Sequence, residues 1–236
     1  MLNAIRHVTQ YGRGTRSMTI QRMVSGMLIV LLSIVWLTAS SLAMSGTPTE
    51  FVRQTTDSIL QVFVDPRLQG VGHREERLAR LRYIANTAFD WEEIARRTLA
   101  THWRERTPQE RQEFPELLRD AVQAIYLGRL EEAAQQRLPE KQAIAYGKEV
   151  VDGPHAVVKT TIATKRQREI PMEYRLRQSD GLWRVYDVVI VGVSLINNYR
   201  VQFHRIITQS SYQGLVQQLK ARQLGEVVAE PPQPSR

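Results

Sequence analysis

The segment Gly192-Val193-Ser194-Leu195-Ile196 opens as a nucleophile elbow does, with a glycine two residues before a serine where a strand gives way to a helix. The chemistry would be acyl transfer by an activated hydroxyl. That chemistry needs a second glycine to close the turn, and a histidine and an acid to take the proton. Position 196 is Ile, not Gly, so Ser194 reads better as the N-cap of the helix that follows. His73, His102, His155 and His204 stand apart, none with a partner at metal-ligand spacing. The adjacent carboxylates Glu92-Glu93 and Glu131-Glu132 read as solvated helix faces. The chain has no cysteine, which removes disulfides, thiolate nucleophiles and Cys-based metal sites. No glycine-rich phosphate loop is present. The expectation is a protein that is not an enzyme, with no cofactor, no catalytic residue and no metal.

The elements around Ser194 carry more information. Leu182 to Val191 is an almost unbroken apolar run after the turn signal Asp180-Gly181, and it reads as a strand buried on both faces. The segment from Ser194 to Gln209 has helical spacing at Ile196, Tyr199, Phe203 and Ile206. Upstream, Thr47-Pro48-Thr49-Glu50 and Thr107-Pro108-Gln109-Glu110 are capping boxes with proline at the first helical position. The first starts a helix ending near Pro66, and the second starts the longest helix, to about Gln136. Pro115 falls early enough to bend that helix only slightly. Between them, Arg74 to Ala88 reads as an amphipathic helix. Asp90 caps another helix to about Trp103, with Glu93 answering it and Phe89 stapling to Ile94. After Pro139 the period changes to two. Strands are expected at Ala143–Val151, His155–Thr164, Glu169–Gln178 and Leu182–Val191, joined by Asp152-Gly153-Pro154, a basic turn near 165–168 and Ser179-Asp180-Gly181. A last helix is expected over Gly214 to about Leu224. The fold class is α+β: N-terminal helices, a four-stranded antiparallel curved sheet, and C-terminal helices closing either a filled core or an apolar cavity.

The net charge is +8, and residues 1–43 contribute Arg6, Arg13, Arg16 and Arg22 with no acid, leaving +4 for the rest. That balance is too weak and too dispersed for nucleic acid. The same arginines precede the apolar run Met23–Leu37 and the small residues Thr38-Ala39-Ser40-Ser41-Leu42-Ala43. This is the pattern of a secretory signal peptide cleaved before Met44, and the run is shorter than the roughly 20 residues that span a bilayer. Residues 1–43 are assigned as that signal, 44–224 as the folded domain and 225–236 as a flexible proline-rich tail.

Two stretches resemble the MlaC/toluene-tolerance family. FDWEEIARRTLATHWRERTPQERQEF is similar to its first signature, with a Phe-Asp start, a Trp-Arg pair and Thr-Pro-Glx-Glx-Arg. WRVYDVVIVGVSLINNYRVQF is similar to its second, except that Val191 stands where an acidic residue is common before the glycine. The match runs from about Glu50 to Leu219. The resemblance implies a periplasmic carrier of phospholipid, acting as a monomer between an inner-membrane ABC transporter complex with a lipid-binding domain and an outer-membrane lipoprotein complex. Its cargo would be held by the acyl chains with the head group near solvent. A hopanoid-associated branch and an envelope adaptor that binds no lipid are the alternatives. On the facing pattern, the lining residues are expected to be Val122, Ile125 and Tyr126 from the long helix, Val157, Met172, Tyr174, Val185 and Val189 from the sheet, and Val193, Ile196, Tyr199 and Phe203 on the closing side. Asn197 and Arg200 sit at the hydrophilic edge of that last helix.

Overall fold

A computed structural model describes residues 46–135, 143–163 and 169–221. The signal and tail assignments, and the basic turn near 165–168, fall outside them. Six helices are described: α1 (Pro48–Val64), α2 (Arg74–Ala88), α3 (Trp91–Leu99), α4 (Pro108–Gln135), α5 (Leu195–Gln209) and α6 (Tyr212–Lys220). Short 3-10 turns cover Pro66–Leu68, Val71–His73 and Ala100–Glu105. The strands are β1 (Ile144–Asp152), β2 (His155–Ala163), β3 (Glu169–Ser179), β4 (Leu182–Ile190) and β5 (Val193–Ser194), in an antiparallel meander ordered β1-β2-β3-β4-β5.

The local signals explain most starts and stops. Thr107 Oγ1 accepts from the Glu110 amide at 3.2 Å while Glu110 Oε2 takes the Thr107 amide at 2.8 Å, a closed capping box. Thr47 and Asp90 cap by the same first half, through the amides of Glu50 and Glu93. Pro115 sits inside α4 without ending it. Asp180 and Gly181 both have positive φ between paired Ser179 and Leu182, which is the backbone of a two-residue primed turn.

Two features differ from the expectation. The sheet has a fifth strand, because the chain turns at Val191-Gly192 and pairs Val193 and Ser194 back onto Ile190 and Val189. Strand β4 is not sealed on both faces either. Trp183, Val185, Asp187 and Val188 are buried, while Arg184, Tyr186, Val189 and Ile190 are half-buried. The reason is a bulge: Arg175 pairs with Asp187 but Leu176 pairs with Val185, leaving Tyr186 as an extra residue. The inward face therefore switches phase at Tyr186, and an alternating pattern that changes phase looks like a continuous apolar run.

The turn into β5 carries strain. Val191 has φ 49°, a left-handed conformation that a β-branched side chain disfavours and that Asn, Asp or Gly accepts. Val191→Asn should raise the urea midpoint, at unchanged slope, by an amount equivalent to about 1 kcal/mol. A lowered midpoint would show that the valine side chain contributes packing that outweighs its strain.

Among the described residues, buried side chains gather in three clusters. One joins α3, α4, α5 and α6 around Phe114, Leu118, Phe203 and Leu215. One joins α1 to the sheet around Val52, Val158, Leu176 and Val185. The third lies between α1 and α2 around Val62, Leu68 and Leu81.

Candidate functional site

A pocket of about 490 Å³ opens between the helices and the sheet. Each element contributes residues at its own period. From α4 come Val122, Tyr126, Arg129 and Leu130, one face at spacings of four, seven and eight. From α2 come Leu81, Ile84, Ala85 and Ala88, and from α1 Thr55 and Ile59. Strands β3 and β4 give Met172, Tyr174, Val188 and Ile190, alternate positions on one side of the pleat. Phe89, Trp91 and Ile94 lie at the start of α3, and Leu195, Ile196 and Tyr199 on α5 close the far side. The walls are apolar apart from a few groups. Of these, Gln123 donates its side-chain amide to Asn86 Oδ1 at 2.7 Å.

Val122, Tyr126, Met172, Tyr174, Ile196 and Tyr199, expected from the sequence to line a cavity, border this pocket. Ile125, Val157, Val185, Val189, Val193 and Phe203 do not. Ile125 is turned around α4 toward the helical core. Val157 is out of phase with buried Ala156 and Val158. Val185 faces inward but is 4% exposed and packs in the α1–sheet cluster. Val189 pairs with Glu173 and lies out of phase with Val188 and Ile190, because of the bulge at Tyr186. Val193 borders a different cleft, and Phe203 is fully buried edge-on to Phe114, with ring centroids 6.0 Å apart. The α1 and α2 walls were missed. For α2 the signal was the stripe Leu78, Leu81 and Ile84, which the period marks as buried without saying against what.

Ser194 is a cap. Its Oγ accepts from the Asn197 amide at 3.0 Å and donates to Asp187 Oδ2 at 2.7 Å. Asp187 also takes the Ile196 amide at 3.1 Å and Arg175 at 3.2 Å. This buried carboxylate, not foreseen from the sequence, joins β4 to the start of α5. Two other expectations are corrected. Glu93 and Glu131 are 4% and 2% exposed, not solvated faces. Burial acts to raise the Glu93 carboxyl, but hydrogen bonds from Arg96 and Arg97 outweigh it and hold it below the ordinary carboxylate range. His102 and His204 do not stand alone, since their Nε2 and Nδ1 meet at 3.0 Å. Among the described residues no group of three acids or histidines is placed to hold a metal, and no helix is long and apolar enough to cross a membrane.

Beside the pocket lies an open, polar cleft of about 1050 Å³. Arg96, Arg97, Arg104, Arg175 and Arg200 line it, with Asn197 and Asn198. Tyr186, Asp187 and Ile196 border both spaces. Tyr186 forms part of the partition, with the Arg97 guanidinium 4.0 Å above its ring.

Within the pocket wall three buried polar atoms have no hydrogen-bond partner: Trp91 Nε1, Tyr126 Oη and Tyr199 Oη. Burial pushes the Tyr126 and Tyr199 phenols up, Tyr199 far above its ordinary value, while the Arg129 charge pulls the other way. Burial also pushes Tyr174 up to about 12. All three phenols are neutral donors at physiological pH.

A family model described as MlaC protein matches residues 53–221. No curated protein matches the chain. Among solved structures it is similar to the phospholipid-binding protein from Ralstonia solanacearum, determined in complex with a phospholipid. The two are 24% identical, with a TM-score of 0.62 over 75% of this chain and 97% of that one. At that identity the likeness carries the fold.

Proposed function

The chain belongs to the MlaC protein family, and from that premise we propose that it is a lipid carrier that takes phospholipid acyl chains into the pocket between α1, α2, α4, α5 and the sheet. The observation that carries the reading is the pocket itself, apolar on nearly every wall, in a fold shared with a protein solved with a phospholipid. We assign residues 1–43 as a cleaved export signal, 44–224 as the carrier domain and 225–236 as a proline-rich tail. The place of action is the periplasm. The exchange partners are an inner-membrane ABC transporter complex and an outer-membrane lipoprotein complex. The lining consists of the pocket residues described above, Val122, Tyr126, Met172, Tyr174, Ile196 and Tyr199 among them.

Size and energy fit the role. A methylene takes about the room of a liquid water, on the order of 30 Å³, so the 490 Å³ pocket holds roughly sixteen of them, about one long chain. At roughly 0.8 kcal/mol each, hiding those methylenes from water contributes on the order of 13 kcal/mol. A second chain requires the surrounding helices to part. Cargo held this strongly leaves by passing into another apolar groove, not through water, and no covalent step is needed. The head group would sit toward the arginine-lined cleft that shares three residues with the pocket, where Asn197 and Arg200 face it. An anionic head group suits that setting.

The test is uptake. Purified protein mixed with vesicles carrying pyrene-labelled phosphatidylglycerol should take the label into a soluble complex and deliver it to unlabelled acceptor vesicles. Protein that stays folded yet extracts no labelled lipid would end the carrier reading in favour of an envelope adaptor.

A further inference from the structure

The lipid-carrier reading leaves open what part of a lipid the pocket recognises, and the orphaned hydroxyls of its wall bear on that. Tyr126 comes from α4 and Tyr199 from α5; the two phenols lie close enough to act on each other's titration, and neither hydroxyl has any other partner in the protein. Tyr199 is only 3% exposed. A phenylalanine would fill either position with the same ring and no unmet donor, and a buried donor without an acceptor costs free energy. The one carboxylate among the described residues of the wall is already committed: Asp187 holds Ser194, the Ile196 amide and Arg175. Trp91 Nε1, on the same pocket, is a third donor in the same condition. An otherwise apolar pocket thus presents unmet hydroxyl and indole donors, which is complementary to a ligand that carries acceptor oxygens and no donors at the end of a hydrocarbon chain. The ester carbonyl of an acylated lipid has that character.

Resting on the carrier reading, we infer that Tyr126 and Tyr199 donate hydrogen bonds to the ester-carbonyl oxygens of a bound acyl lipid, and so make the pocket selective for ester-linked over ether-linked chains. Burial keeps both phenols protonated, so the selectivity is independent of pH from about 5 to 9, below the ordinary tyrosine range.

The experiment is a competition for bound pyrene-labelled phosphatidylglycerol. The competitors are dioleoyl phosphatidylglycerol and its dioleyl-ether counterpart, which has the same head group and chains but no carbonyl. Wild-type protein should prefer the ester lipid about tenfold, the scale of one or two hydrogen bonds to neutral groups. The variant Tyr126→Phe/Tyr199→Phe should bind the two lipids alike. Each single variant, with its melting temperature recorded, serves if the double variant fails to fold. Equal binding of both lipids by wild type, or a preference that survives in the Phe variants, overturns the assignment. So does an equal loss of both lipids in the variants, since the oxygens would then belong to the head group. Protein that binds neither lipid fails the carrier reading itself, a different outcome from any of these.

Discussion

Val122→Trp lowers lipid loading at least tenfold while the melting temperature holds or rises. Val122 projects from α4 into the pocket, on the face it shares with Tyr126 and Leu130. An indole placed there occupies space that the cargo needs. Displacing two or three methylenes at about 0.8 kcal/mol each costs the complex about 2 kcal/mol, more than tenfold in affinity. Val122 also touches the helical core, but it borders open pocket space, so most of the larger ring fills the pocket and the cost to the fold is small. The neighbouring change supplies the contrast. Ile125 faces the helical core, so Ile125→Trp overpacks it and destabilises by about 1–3 kcal/mol. Tryptophans three residues apart on one helix should thus produce opposite signatures, one in binding and one in stability. Uptake assays and thermal melts on both variants read the two effects. Full loading in Val122→Trp at wild-type stability would mean that the cargo lies elsewhere.

Glu131→Ala has the largest expected effect on the fold. Glu131 on α4 pairs with Arg77 on α2, with side chains only 3% and 10% exposed. Arg77 Nε donates to Glu131 at 3.0 Å, and its Nη1 reaches the carbonyls of Leu68 and Gly70 at 2.6 and 2.7 Å. The pair therefore ties α2, α4 and the turns after α1 together beside the pocket. Removing the carboxylate leaves a guanidinium buried with its charge unmatched, which costs about 3–5 kcal/mol. For a domain of this size that is a fall of roughly 10 °C in melting temperature. Glu132, the next residue, is exposed. Glu132→Ala should stay within about 0.5 kcal/mol of wild type. Equal, small effects at the two positions would show that the buried pair contributes little.

The contrast between Glu131 and Glu132 marks where sequence reading stops. Two adjacent acids on a helix look alike in one dimension, and the partner that buries one of them lies 54 residues away. The same holds for the His102–His204 pair across 102 residues. What is local was legible. The threonine caps, the Asp180-Gly181 turn and Ser194 as a helix cap each depend on residues within three positions, and the structure has them all. The shift of period after Pro139 marked the sheet correctly. The bulge at Tyr186 was not legible, because nothing in VYDVVIV distinguishes one phase-switched strand from a doubly buried one. That single residue moved Val189 away from the pocket and brought in Val188 and Ile190. The two-residue strand β5 is too short to leave a pattern of its own. The walls from α1 and α2 show a further limit. An apolar stripe says that a helix face is covered, and only the tertiary arrangement says whether side chains or a pocket cover it.

The central claim is that this pocket carries lipid, and mass spectrometry under native conditions tests it most directly. Protein purified gently from its native cells should appear as a complex one phospholipid heavier than the bare chain. Collisional activation should release that mass as an intact lipid. A folded protein at the mass of the chain alone, which gains no mass after incubation with phospholipid vesicles, would contradict the account.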